Sequence, residues 1–202
     1  MSNTLQQLLD RFPDKSWDWD SLSENSNITM EDVKKNPDKP WNWFKLSRNS
    51  NFTFKDVKEN PNKPWDWNYL SLKSTMKDVK ENPTFPWIWC LLSQNHNITM
   101  KDVKENPNKP WSWHNLSQNP NITMRDIQKN PNKPWSWNLL CKNPNITMKD
   151  VKENPKMPWD WRWLSNNPNL TLKDIEENLD KPWDWRWLSI NDFALDLRFK
   201  TY

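Results

Sequence analysis

The sequence predicts an all-α fold, an elongated α-solenoid of about eight two-helix repeats of 22–24 residues with caps at both ends. Three observations carry that prediction. Tryptophans recur as pairs two residues apart, Trp17/Trp19, Trp41/Trp43, Trp65/Trp67, Trp87/Trp89, Trp111/Trp113, Trp135/Trp137, Trp159/Trp161 and Trp183/Trp185, stepping by 24 residues throughout except for one step of 22 from Trp65 to Trp87. The 202 residues contain no glycine, which removes the cheap φ > 0 positions that turn-rich β-architectures need. Each unit also carries start and stop signals for two short helices.

The unit "NITMKDVKENPNKPWSWHNLSQNP", residues 97–120, shows these signals in order. Thr99 is an N-cap with Asp102 at N3, a relative of the capping box, and Ile98 and Val103 flank the start as a hydrophobic staple. Asn106-Pro107 ends this helix, because a residue before proline is pushed out of the α region. A second helix is expected to open at Pro110-Trp111, with proline in the first turn, and to run through Ser117. Both helices are then about eight residues long, whereas isolated helices of roughly 12–15 residues are already marginal in water. Stability must therefore come from neighbouring repeats, the condition that defines a solenoid. The paired tryptophans are expected to act as wedges, one toward each neighbouring repeat.

The expected organisation is an N-terminal capping helix over residues 1–12, tandem repeats over 13–189 as a single domain, and a C-terminal cap over 190–202. In that cap Leu195, Leu197 and Phe199 alternate with Asp196, Arg198 and Lys200, as in a strand.

Charge is interspersed, with 29 basic against 26 acidic residues, which describes a solvated surface before it describes a nucleic-acid surface. No apolar stretch approaches the roughly 20 residues of a membrane span, and the N-terminus lacks the form of a signal peptide. An intracellular, non-secreted protein without membrane contact is expected, with Cys90 and Cys141 unpaired and Cys141 a buried substitute for serine. The repeated Asn-Ile-Thr strings fit glycosylation acceptors, but Thr as a cap and Asn in a hydrogen-bonded ladder explain them better.

Lys39, Lys63, Lys109, Lys133 and Lys181 form one column across the repeats, and Lys55, Lys77, Lys101, Arg125, Lys149 and Lys173 form another. Either could follow a phosphate backbone, yet Asp32, Asp56, Asp78, Asp102, Asp126, Asp150 and Asp174 form an equally regular acidic column. His96 and His114 have no partners at metal-ligand spacing. No catalytic constellation, metal site or cofactor site stands out, and the chain is expected not to be an enzyme and to need no cofactor.

The candidate binding residues lie where the pattern breaks. Between Trp67 and Trp87 two residues are missing, and "SLKSTMKDV" replaces the usual loop. The following "TFPWIWC" puts Phe85 in a lysine column, Ile88 where Asp, Asn or Ser otherwise sits, and Cys90 at a position otherwise polar or aromatic. These changes fit local repacking around the deletion, or an apolar docking patch. Arg162-Trp163 and Arg186-Trp187 repeat in the last two units and could offer a cation–π surface.

The combination of "NPNIT", "MKDV", "NPNKPW" and "WDW" over about residues 13–189 resembles the tandem-repeat proteins encoded by large DNA viruses of amoebae. The resemblance implies an intracellular viral product, in host cytoplasm or virion, and brings no catalytic motif. Together these readings point to a non-enzymatic scaffold, monomeric, that binds a host or viral protein. The alternatives are a single-stranded nucleic-acid or polysaccharide binder using the lysine columns and tryptophan faces, and a self-associating virion component.

Overall fold

A computed structural model describes residues 4–193 of the chain. The strand-like alternation expected at Leu195–Phe199 lies outside the described residues. Among those described, sixteen α-helices and no strand form eight two-helix repeats. The chain divides into two compact units, Met1–Ile88 and Trp89–Tyr202.

The first unit holds α1 (Thr4–Arg11), α2 (Trp19–Glu24), α3 (Met30–Lys35), α4 (Trp43–Leu46), α5 (Phe54–Glu59), α6 (Trp67–Lys73) and α7 (Met76–Glu81). The second holds α8 (Trp89–Gln94), α9 (Met100–Glu105), α10 (Trp113–Leu116), α11 (Met124–Gln128), α12 (Trp137–Leu140), α13 (Met148–Glu153), α14 (Trp161–Leu164), α15 (Leu172–Glu176) and α16 (Trp185–Leu188).

The first helix of each repeat begins as its sequence dictates. At α9 the Thr99 backbone N–H and hydroxyl both donate to the Asp102 carboxylate, at 2.9 and 2.7 Å, and Thr99 Oγ1 accepts from the Asp102 N–H. The same reciprocal box opens α3, α5, α7, α11, α13 and α15. Asn106 closes α9. Its side chain donates to the Asp102 carbonyl at 2.8 Å, and its own carbonyl accepts from Trp111 Nε1 at 2.9 Å. The first tryptophan of every later pair makes this indole bond, as Trp41, Trp65, Trp135 and Trp183 illustrate, and Trp17 donates instead to the Phe12 carbonyl. A buried indole N–H needs such an acceptor.

The second helix departs from expectation. It opens at the second tryptophan, not at Pro-Trp. Pro110 and Trp111 precede the helix, Ser112 is the N-cap, and α10 spans four residues. Asn42, Asp66, Asp160 and Asp184 cap the equivalent helices. The residue between the tryptophans is therefore a capping position, and the pair straddles the helix start instead of lying on one helix.

The tryptophans nonetheless face neighbouring repeats as expected. Within the first unit Trp19 meets Trp41 edge to face at 4.9 Å between ring centroids, and Trp43 meets Trp65 at 5.0 Å. Within the second, Trp89–Trp111, Trp113–Trp135, Trp137–Trp159 and Trp161–Trp183 repeat the contact at 4.9–5.0 Å with rings at 88–89°. This geometry places a positive ring edge on a negative ring face and adds roughly 0.5–1.5 kcal/mol to the burial itself. Each repeat also buries one aliphatic set: Ile98, Met100, Val103 and Leu116 in one repeat, Ile122, Met124, Ile127 and Leu140 in the next.

Two polar ladders stitch repeat to repeat. The hydroxyl of Ser93 donates to the Trp89 carbonyl and accepts the Ser112 N–H at 2.9 Å, and Ser117 does the same for Trp113 and Ser136. Buried Asn119 sends its amide to the carbonyls of Ser93, Asn95 and Ile98 at 2.9–3.1 Å, and its Oδ1 accepts from the Asn121 N–H. Asn49, Asn143, Asn167 and Asn191 occupy the same rung. A second rung runs outside it, with Asn51, Asn121, Asn145 and Asn169 donating to carbonyls of the preceding repeat. The Asn-Ile-Thr strings are thus the ladder that the sequence suggested.

Candidate interaction site

The regular repeats use their charges and rings on themselves. Lys39 Nζ lies 5.6 Å from the Trp19 ring centroid and Lys63 4.9 Å from that of Trp43. In the second unit Lys109, Lys133 and Lys181 cover Trp89, Trp113 and Trp161 at 5.0–5.7 Å. These are cation–π distances. Five of the six residues of the other column lie beside glutamates one turn on, as Lys55–Glu59, Lys77–Glu81, Lys101–Glu105, Lys149–Glu153 and Lys173–Glu177. Neither column is an open basic track over exposed ring faces.

The first unit's irregular junction comes from the two-residue deletion. α6 continues to Lys73, seven residues where most second helices have four. Fully buried Ser74 replaces the staple residue, and its hydroxyl donates to the Ser71 carbonyl at 3.1 Å. Ser71 Oγ still accepts the Ile88 N–H at 3.0 Å, so the serine ladder crosses the break. Both amide rungs, Asn-x-Asn in the regular loop, are missing from "SLKST". Beside this junction lies a cavity of about 600 Å³, lined by Ser47, Ser50, Phe52, Phe54 and Leu70 with Lys55, Lys58 and Lys73 around it.

Phe85 and Ile88 are half-buried. Phe85 sits in the lysine column and does the lysine's work with a ring edge, 5.1 Å from Trp67 and 5.9 Å from Trp87. Phe54, where all other repeats but the last, with Leu172, have methionine, meets Trp87 at 5.5 Å. Ile88 takes the capping position between the tryptophans and brings no capping side chain. Leu72, which the sequence did not single out, is 37% exposed on α6.

In the second unit Cys90 is exposed and Cys141 is buried. Cys141 takes the serine-ladder position, and burial raises its thiol pKa to about 11. Trp163 and Trp187 are half-buried with centroids 6.2 Å apart. The cation between them is Lys142, with Nζ 4.1 and 4.2 Å from the two rings, and burial lowers its pKa. Arg162 and Arg186 are exposed, and Arg162 pairs with Asp160 at 3.2 Å. Sequence reasoning missed Lys142 because its partners lie 21 and 45 residues on, one rung and two rungs along the array.

Among the described residues no group of three His, Cys, Asp or Glu side chains is placed to hold a metal ion. No described helix is long and apolar enough to cross a membrane. The chain is a Trp-rich tandem-repeat protein, and no family model, curated protein or solved structure matches it.

Proposed function

We propose that this chain is a non-enzymatic scaffold that binds another protein, and that the irregular junction of its first unit is where the partner docks. One observation carries this reading. In the regular repeats one lysine column covers the tryptophan faces on which bases would stack, and the exposed lysines of the other lie beside glutamates that compete with phosphate. The junction instead presents Phe85 and Ile88 half-buried, Leu72 exposed and a cavity alongside. The resemblance to repeat proteins of amoebal viruses supports a host or viral partner.

The test is capture of partners by the intact chain and by the double variant Phe85→Lys, Ile88→Asp. Both replacements are residues that regular repeats hold at those positions, so the unfolding free energy should stay within about 1 kcal/mol of the parent. A discrete captured protein lost from the double variant is the expected result. Capture unchanged in a folded variant removes the junction from the reading. Oligonucleotide binding with a steep salt slope favours a nucleic-acid binder instead, and concentration-dependent sedimentation of the pure chain favours self-association.

A further inference from the structure

At the regular junctions, carbonyls of one repeat receive amide N–H groups from the next. Ser23, Asn25 and Ile28 receive Asn49, and Ser26 and Ile28 receive Asn51. In the second unit Ser93, Asn95 and Ile98 receive Asn119, and His96 and Ile98 receive Asn121. The equivalent carbonyls in the second repeat belong to Ser47, Asn49, Ser50 and Phe52. The deletion removes both asparagines that would serve them, and no described side-chain amide reaches them. Three of those four residues, Ser47, Ser50 and Phe52, line the 600 Å³ cavity. The cavity is thus lined by three residues of the seat that an Asn-x-Asn loop takes at the regular junctions, with Phe54 and Leu70 beside them and Lys55, Lys58, Lys73, Asp78 and Glu81 around it.

We infer that this cavity binds an Asn-x-Asn loop of a separate protein, whose two side-chain amides donate to the carbonyls of Ser47, Asn49, Ser50 and Phe52. The inference rests on the scaffold reading and names the chemistry of its partner. The chemistry is specific in one direction: carbonyls accept only, so a ligand must bring N–H donors. In the later repeats the chain's own asparagines of that type, Asn119, Asn143 and Asn167, are buried in their ladder. Proline stands between the two amides in the loops Asn119-Pro120-Asn121 and Asn143-Pro144-Asn145.

The probe is a peptide of sequence Asn-Pro-Asn-Ile-Thr, acetylated and amidated, titrated into the full chain by calorimetry. Saturable binding is expected, at least tenfold weaker for the Asp-Pro-Asp-Ile-Thr peptide, which lacks the donors. Two variants should abolish it. Replacing Leu72-Lys73-Ser74 by Leu-Asn-Pro-Asn-Ile restores the regular loop, fills the seat and should raise the thermal midpoint. Ser50→Trp blocks the cavity from an exposed position and keeps folding intact should the loop replacement fail. No binding at millimolar peptide, equal binding to the Ser50→Trp variant, or tighter binding of the Asp peptide to the ammonium groups of Lys55 and Lys58 would each overturn the inference. Partner capture that persists when the peptide fails leaves the scaffold reading standing and removes this one alone.

Discussion

Asn119 shows how much one side chain can carry in so short a repeat. Its amide reaches three carbonyls of the preceding repeat, and its oxygen takes the Asn121 N–H, all in a site with no solvent exposure. Leaving buried acceptors unserved costs about 1–3 kcal/mol, so Asn119→Ala should lower unfolding stability by about 2–3 kcal/mol in urea titration. Asn119→Asp should be at least as damaging, because it keeps the shape and removes the donors. The two cysteines give a second test at this scale. Cys141 is fully buried with its pKa raised to about 11, which keeps it protonated at neutral pH, whereas Cys90 is exposed. The nucleophile is the thiolate, so an aromatic disulfide reagent should titrate one thiol in the native chain and the second only after denaturation. Two fast equivalents would contradict the buried serine-ladder position.

Helices of four to eight residues cannot persist on propensity, so each element stands on its caps and its wedges. Thr99→Ala removes one side of a reciprocal box and should cost about 1 kcal/mol, with Thr99→Ser close to neutral. Trp113 fills the gap to Trp135 with an edge-to-face contact, and Lys133 covers it. Trp113→Ala should cost about 3 kcal/mol or more. Trp185 is 63% exposed, and Trp185→Ala should stay within about 0.5 kcal/mol. A comparable loss at both positions in the same denaturation series would mean that the second tryptophan is not a wedge.

These elements also show what was legible. The Thr-x-x-Asp box and the Asn-Pro stop are local chemistry, and both placed the first helices correctly. The second helix was misplaced because the proline rule knows only φ. The backbone of Trp111 is instead turned by its own N–H bonding to the Lys109 carbonyl at 2.8 Å, and Ser112 supplies the cap. The signal was present, since Asp, Asn or Ser stands between the tryptophans in every repeat but the one with Ile88. The candidate site was half legible. The deletion and Phe85 could be seen in the string, but the cavity arises from what the preceding repeat fails to receive, and no residue within the junction encodes that.

At the scale of the whole molecule, repetition makes the interface between repeats interchangeable, and that has a testable consequence within the second unit. Removing residues 112–135 joins Trp111 to Ser136 and takes out one complete 24-residue period. Ser136, whose N–H now bonds Ser117 Oγ, would find Ser93 Oγ in the same place, since Ser93 serves Ser112 identically. Asn143 would exchange the carbonyls of Ser117 and Asn119 for those of Ser93 and Asn95. Trp137 would go on packing against Trp159, and Trp89 against Trp111, with nothing left unpaired. In a nearest-neighbour array the loss is one repeat and one interface. The shortened chain should therefore fold cooperatively with unchanged helical signal per residue. Its denaturant slope should fall roughly in proportion to the 24 of 202 residues removed. A deletion of 20 residues from the same starting point leaves serine, asparagine and tryptophan positions four residues out of the 24-residue spacing that the second unit keeps, and it should cost far more stability than the 24-residue deletion. If the two deletions behave alike, stability does not reside in the register between repeats.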